Sequence, residues 1–214
     1  MSRQKKQQQS RKSIVVIVDG QTEKWYMEQV KAHYPCEELK HVSVKPEMPQ
    51  KKSVEELFAL AKEKLEQGVQ EVILILDLDT IRKEASEKTR FKDFYTRYTK
   101  VQQNDSPKRT DVWMKNLVLV VNNPCLEYWY ILHFRNTTKF YDTYADLKRD
   151  LVRIPNLKDY DKTDEYYHKQ PNMYKRLEQE LPDGRRNATP FSIEAMDTAG
   201  CSEMNTIFDF LDRL

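Results

Sequence analysis

The chain has 214 residues, with 36 Lys and Arg against 34 Asp and Glu, three Cys and only four Gly. Those glycines, Gly20, Gly68, Gly184 and Gly200, are too scattered for a dinucleotide-binding fingerprint or a Walker A loop. A net charge of +2 excludes binding nucleic acid by bulk charge alone, so any polyanion must meet a local patch.

No apolar run approaches the roughly 18 residues that a membrane helix needs. The opening MSRQKKQQQSRK is polar and basic, without the apolar region of a secretory signal. Cys36, Cys125 and Cys201 form neither a CxxC pair nor a disulfide framework, the pattern of a reduced, cytoplasmic protein. Residues 1–12 carry +5 and no acid, which leaves −3 on the remainder. Their Gln- and Lys-rich composition predicts a disordered basic tail.

In chain order, 13–19 reads as a buried strand bounded by Gly20, which is expected to let the chain turn into the next element. A helix follows over 21–34, with Thr22 as its candidate N-cap. Residues 41–45 form a short strand, ended by the Pro46 and Pro49 segment. Over 53–67 the pattern is an amphipathic helix. Ser53 and Glu56 make a capping box, Leu57, Leu60, Ala61 and Leu65 make the apolar face, and Gly68 stops it. Residues 71–77 are a second long buried strand, and 117–122 another, ended by Asn123 and Pro124. Residues 126–134 are helical and apolar almost all round, hence buried. Pro124 fits the start of that helix.

Continuous apolar strands alternating with helices predict an α/β fold with a mostly parallel central sheet flanked by helices. Residues 13–135 make up this core, interrupted by an insertion at 82–116. Helical patches broken near Pro155, Pro171, Pro182 and Pro190 make 136–214 a helical C-terminal elaboration of the same domain. There are no internal repeats.

Function in such sheets sits at the carboxyl ends of the strands. Acids recur there. Asp19 ends the first strand, with Glu23 just beyond it, Asp77 and Asp79 end the third, and Glu127 follows the fourth. Clustered carboxylates repel unless a cation neutralises them. Oxygen ligands without His or Cys point to Mg²⁺ or Mn²⁺. If 77–79 stays extended, Asp77 and Asp79 face one side and reach one metal, with Leu78 turned into the core. Glu23 adds a third ligand. A metal so held suits phosphodiester hydrolysis or transfer.

The insertion holds ten basic residues and five acids between Arg82 and Lys115, a local +5. Lys24, Arg82, Lys83, Arg90, Lys92 and Arg97 are the candidate nucleic-acid contacts. Phe91, Phe94, Tyr95 and Tyr98 either stack bases or face the core at helical spacing. Asn122 and Asn123 read as turn-holding side chains, Cys125 as a small buried hydrophobe, and Trp129 and Tyr130 as core. His133 is a core or rim histidine by default; His133 and Asn123 are kept as supporting candidates for the site.

Two stretches carry a resemblance. Val18-Asp19-Gly20-Gln21-Thr22-Glu23-Lys24-Trp25-Tyr26 resembles the opening of the RloB family, a branch of the Toprim fold. The stretch from Asn122-Asn123-Pro124-Cys125-Leu126-Glu127 through Trp129 to His133-Phe134 is similar to that family's second motif. Between them, Asp77-Leu78-Asp79 matches the Toprim DxD. The likeness is strong over 13–135; the segment 158–163 and the last helix are compatible with it. The resemblance implies a Toprim-type nuclease of a bacterial anti-phage, abortive-infection locus, acting on nucleic acid beside a separately encoded ABC- or AAA-type ATPase. By the same likeness Glu23 is the general acid or base and a metal ligand, Asp77 and Asp79 bind Mg²⁺, and Glu127 supports the site or a second metal. Thr80, where an acid or Asn often follows the second Asp, leaves the number of metals open. Two other readings stand beside it. One is a HAD-like phosphatase using Asp77 as nucleophile and Asp79 two residues on. The other is a non-catalytic subunit that binds nucleic acid or an ATPase.

Overall fold

The computed structural model describes residues 13–37, 39, 42–45 and 53–214. The tail at 1–12 and the Pro46 and Pro49 segment lie outside the described residues. Four parallel strands, β1 (Ile14–Val18), β2 (Val42–Lys45), β3 (Glu71–Asp77) and β4 (Leu117–Asn123), lie in the order β2-β1-β3-β4. This is the expected α/β architecture with a mostly parallel sheet. A short strand, β5 (Cys201–Ser202), adds antiparallel to β4 at the edge.

Each central strand is apolar on both sides because each side is covered. Successive side chains of a strand point to opposite faces. Val16 and Val18 join one core with Ile73, Ile75 and Val120, whereas Val15 and Ile17 join the other with Leu74, Leu76 and Val121. The first face is covered by α1 (Gln21–His33). The second is covered by α2 (Val54–Glu66). The Ser53–Glu56 capping box forms as expected, and Gly68, at φ +93°, ends the helix region in the left-handed conformation that favours glycine. Of the anticipated apolar face, Leu57, Leu60 and Ala61 are buried and Leu65 is partly buried.

A short helix, α3 (Leu78–Ile81), leads from β3 into the insertion, which is built on α4 (Ala85–Gln102) and a 3₁₀ segment at Arg109–Asn116. Its aromatics take the core-facing option. Phe91 is fully buried, Phe94 stacks on Phe58 at 4.4 Å, the Tyr95 hydroxyl donates to Phe191 O, and the Tyr98 hydroxyl accepts from Leu119 N. After β4, α5 (Glu127–Leu132) is buried on all sides.

The C-terminal part contains α6 (Tyr144–Leu151), α7 (Asp164–His168), α8 (Met173–Leu177), α9 (Leu181–Asn187) and α10 (Asn205–Leu211). These helices extend the core that holds α1 and α5. Pro182 stands in the first turn of α9, where a missing N–H costs nothing, so it starts a helix instead of breaking one.

Glu203 fastens the returning chain to the sheet. Its Oε2 accepts from Val121 N at 3.1 Å and its Oε1 from Phe191 N at 3.0 Å. Replacing it by Ala leaves two largely enclosed N–H groups unpaired. Glu203→Ala is expected to cost roughly 2–4 kcal/mol in urea unfolding. Glu203→Gln, which keeps one acceptor, should cost clearly less.

Candidate active site

Three strand ends deliver the carboxylates. β1 runs through Asp19 to Gly20, the N-cap of α1. Gly20 is extended, at φ −142° and ψ 178°, so it does not use the backbone freedom expected of it as a turn residue. The need is for space. A Cβ at Gly20 would lie 2.6 Å from Glu23 Oε2. Thr22 also departs from expectation. It sits inside α1 and does not cap it; its hydroxyl donates to Glu23 Oε1 at 2.8 Å.

β3 ends at Asp77, and there the chain stops being extended. Within a helix each residue rotates by about 100°. Asp77 and Asp79 therefore do not project side by side as a strand would hold them. Asp77 is buried and Asp79 half-buried, while Leu78 points into the core as anticipated. Both Asp77 oxygens accept hydrogen bonds, Oδ1 from Asn122 Nδ2 at 3.1 Å and Oδ2 from Leu126 N at 3.2 Å.

The turn after β4 grips the turn after β3. Pro124 O accepts from Leu78 N at 2.8 Å and from Asp79 N at 2.9 Å, and the Asn123–Pro124 peptide is cis. Pro124 thus belongs to this clamp and precedes the helix, which starts at Glu127. Asn122 Oδ1 accepts from Ser202 Oγ, and Asn123 Nδ2 donates to Met196 O and Ala199 O. Both asparagines hold the turn.

Glu127 is wholly buried. Its Oε1 accepts the Tyr160 hydroxyl at 2.5 Å and pairs with Lys162 Nζ at 3.0 Å. Its Oε2 is buried without a partner among the described residues. Because Tyr160 gives its proton to Glu127, Tyr167 donates to Tyr160 at 2.8 Å and Tyr130 to Tyr167 at 3.0 Å. A line of phenols thus ends on the carboxylate.

The three buried acids feel one another. Glu23 is held above the usual carboxylate range, first by burial and then by the charge of Glu127; Thr22 and Lys162 oppose this. Asp77 is pushed well above it by burial and by Glu23, with Lys162 pulling back. Asp19, at the surface end of β1, is raised by loss of solvent and by Asp79. Lys162 is the cation whose charge bears on both Glu23 and Asp77 and which touches Glu127. The oxygen donors are of the kind that bind Mg²⁺ or Mn²⁺. Among the described residues, no set of three or more His, Cys, Asp or Glu side chains is gathered closely enough to hold a metal ion.

The expected nucleic-acid contacts divide. Arg82 is largely enclosed. Its Nη2 donates to Asp142 O at 2.8 Å and Tyr141 O at 3.3 Å, and its guanidinium lies over Phe140. It fastens a loop through Nη2, while its Nε and Nη1 are buried without a partner among the described residues. Arg97 is engaged by Asp111 and Asp93. Lys24 pairs with Glu28, and Arg90 with Glu87 and Glu55, at the surface. Lys83 is exposed and Lys92 half-exposed on the α3–α4 side.

His133 is a core histidine. Nδ1 bonds Trp129 O at 2.9 Å, and a Cβ on Gly184 would lie 2.9 Å from its ring. Burial lowers its pKa to about 4, and no hydrogen bond or ion pair among the described residues joins it to the carboxylates. Cys125 is buried, and its thiol is pushed well above its usual range by burial and by Glu127. Tyr160, Lys162 and Tyr144, by contrast, belong to the site and were not selected from sequence. The Lys-Asp-Tyr-Asp-Lys run at 158–162 was the available signal.

Two outcomes follow from this geometry. Gly20→Ala is expected to destabilise the protein by about 1 kcal/mol, because the atom it meets is the movable end of the Glu23 side chain. Most of that cost should vanish in a Glu23→Ala background, as measured by a double-mutant cycle of urea unfolding. Glu23→Gln should melt higher than the wild type at about pH 8 without divalent cations. A carboxyl group whose folded pKa is raised contributes full stability only below its unfolded pKa and loses it as pH climbs towards the folded value. The gap should therefore close near pH 4, where the wild-type carboxyl is also neutral.

No curated protein and no solved structure matches the chain significantly. No helix among the described residues is long and apolar enough to cross a membrane. A protein-family model described as RloB-like protein matches residues 14–211, which carries the likeness through the C-terminal helices and the Tyr160–Lys162 segment. The chain belongs to the RloB-like family.

Proposed function

We propose that this protein is a metal-dependent, Toprim-type endonuclease that cleaves DNA or RNA, tRNA included, in anti-phage defence. The observation that carries this reading is the burial of Glu23, Asp77 and Glu127, from three neighbouring strand ends, with the Lys162 ammonium acting on all three. Three acids against one base is an arrangement that a divalent cation would complete.

The donor chemistry fits Mg²⁺ or Mn²⁺: every candidate ligand is a carboxylate oxygen. Glu23, Asp77 and Asp79 would hold the ion, which requires their side chains to close around it. The bound ion would supply counter-charge and polarise the phosphodiester.

The chain's own groups do the rest. Asn122 and the Leu126 amide fix the direction of Asp77. Glu23, buried and raised in pKa by its burial and by Glu127, is the candidate for proton transfer to and from the reacting oxygens. Its Oε2 faces the space left by the missing Gly20 side chain. Lys24, Lys83, Arg90 and Lys92 offer positive charge to a polyanion. The absence of a nucleotide-binding glycine loop suits an ATPase of ABC or AAA type supplied by a neighbouring gene. The phosphatase reading draws less support, because it gives no part to the buried Glu127 with its Tyr160 and Lys162 partners.

The test is cleavage of DNA and RNA by the purified protein with the neighbouring ATPase and Mg²⁺. Glu23→Gln should slow cutting by on the order of 10²–10⁴-fold. Chelation should abolish it, and small phosphate monoesters should not be hydrolysed. Equal cutting by Glu23→Gln and wild type would sink this mechanism.

A further inference from the structure

Lys162 sits between the buried carboxylates and solvent. Its Nζ is 3.0 Å from Glu127 Oε1 and 4.1 Å from the centre of the Tyr144 ring, yet the side chain keeps 32% of its exposure. An ammonium has three donors, and Glu127 takes one. The segment that carries Lys162 is pinned on both sides. Asp161 pairs with Lys148 at 3.1 Å, Asp159 with Arg176 at 3.3 Å, and Thr163 caps α7.

Two buried polar atoms of these side chains lack partners, one a donor and one an acceptor. The Tyr144 hydroxyl and Glu127 Oε2 are buried and have no partner among the described residues. Tyr144 is close enough to Glu127, Lys162 and Cys125 to feel their charges. Buried polar atoms are ordinarily satisfied, and here the Tyr144 hydroxyl and the donors that Glu127 leaves on the ammonium over its ring are open to a ligand. The ammonium and the hydroxyl are both donors, and an anion suits them.

We propose that Lys162 is the phosphate-contacting group of this site, held in place by Glu127, with the Tyr144 hydroxyl as second donor to the same phosphate. The proposal rests on the nuclease reading and deepens it. It makes Glu127 a positioning residue that aims Lys162, in place of a metal ligand. It also explains why a C-terminal segment, remote in sequence from the strand ends, is folded onto them.

The experiment measures binding of fluorescein-labelled single-stranded DNA and RNA oligonucleotides to the Glu23→Gln protein across a salt series. One lost phosphate contact lowers the slope of log K against log salt by about 0.7 for a single strand. Lys162→Met should show that drop and bind about tenfold more weakly at low salt, whereas Lys162→Arg should keep the slope. Tyr144→Phe should weaken binding about three- to tenfold with the slope unchanged. In calorimetric Mg²⁺ titration of otherwise wild-type protein, Glu127→Gln should retain binding that Asp77→Asn loses. Lys162→Met/Glu127→Gln removes both charges together and leaves no unpaired carboxylate. It serves as the binding test should the single Lys162 variant not melt cooperatively, and must show the same reduced slope. An unchanged slope without Lys162, or loss of Mg²⁺ binding in Glu127→Gln, would overturn the proposal while leaving the nuclease reading intact. Failure of the Glu23→Gln protein to bind either oligonucleotide would remove the nuclease reading and this proposal with it.

Discussion

Taking a carboxylate out of water is expensive, and this fold does so three times within one neighbourhood. Most of the surrounding structure can be read as an answer to that cost. Asp77 is met by the Asn122 side chain and the Leu126 amide. Glu23 is met by its neighbour Thr22. Glu127 is met by a phenol and an ammonium. Three of these donors are themselves fixed by a further contact. Asn122 is held by Ser202, Tyr160 by Tyr167, and the Lys162 segment by ion pairs on either side.

The same requirement explains the C-terminal part of the chain. The parallel sheet alone could present its acids to solvent, where they would be cheap and unremarkable. Residues beyond 135 enclose them instead. The antiparallel β5 anchors the returning chain to β4, and Glu203 pins it to Val121. The segment at 158–163 brings the Lys162 ammonium, whose charge acts on Glu23, Asp77 and Glu127. Desolvation then raises Glu23 and Asp77 together.

Legibility in the sequence followed the range of the interaction. The 53–67 helix was readable because its capping box and apolar stripe lie within a few residues of one another. The strands were readable as apolar runs, and their parallel order followed from the intervening helices. Acids at strand ends were visible for the same reason. Local readings failed where a contact from elsewhere decided the outcome. Thr22 looked like a cap, but the Glu23 carboxylate takes its hydroxyl. Asp77 and Asp79 looked like a strand pair, but Pro124 O ties Leu78 N and Asp79 N into a helical turn.

The sequence by itself determined the alternation of strands and helices and the positions of the acids at the strand ends, with a scarcity of glycine that excluded nucleotide loops. Those features are set by hydrophobic periodicity and short-range turn chemistry, which the chain carries locally. Only the tertiary structure decided which acids are buried, which bases are spent on internal partners, and that Lys162 and Tyr160 complete the cluster. Burial and charge pairing depend on residues more than thirty positions apart meeting in space, as Glu127 and Tyr160 do, and no local pattern encodes that meeting. Even Gly20 changed its meaning: its value lies in the room it leaves for Glu23, a distance that exists only once the helix has formed.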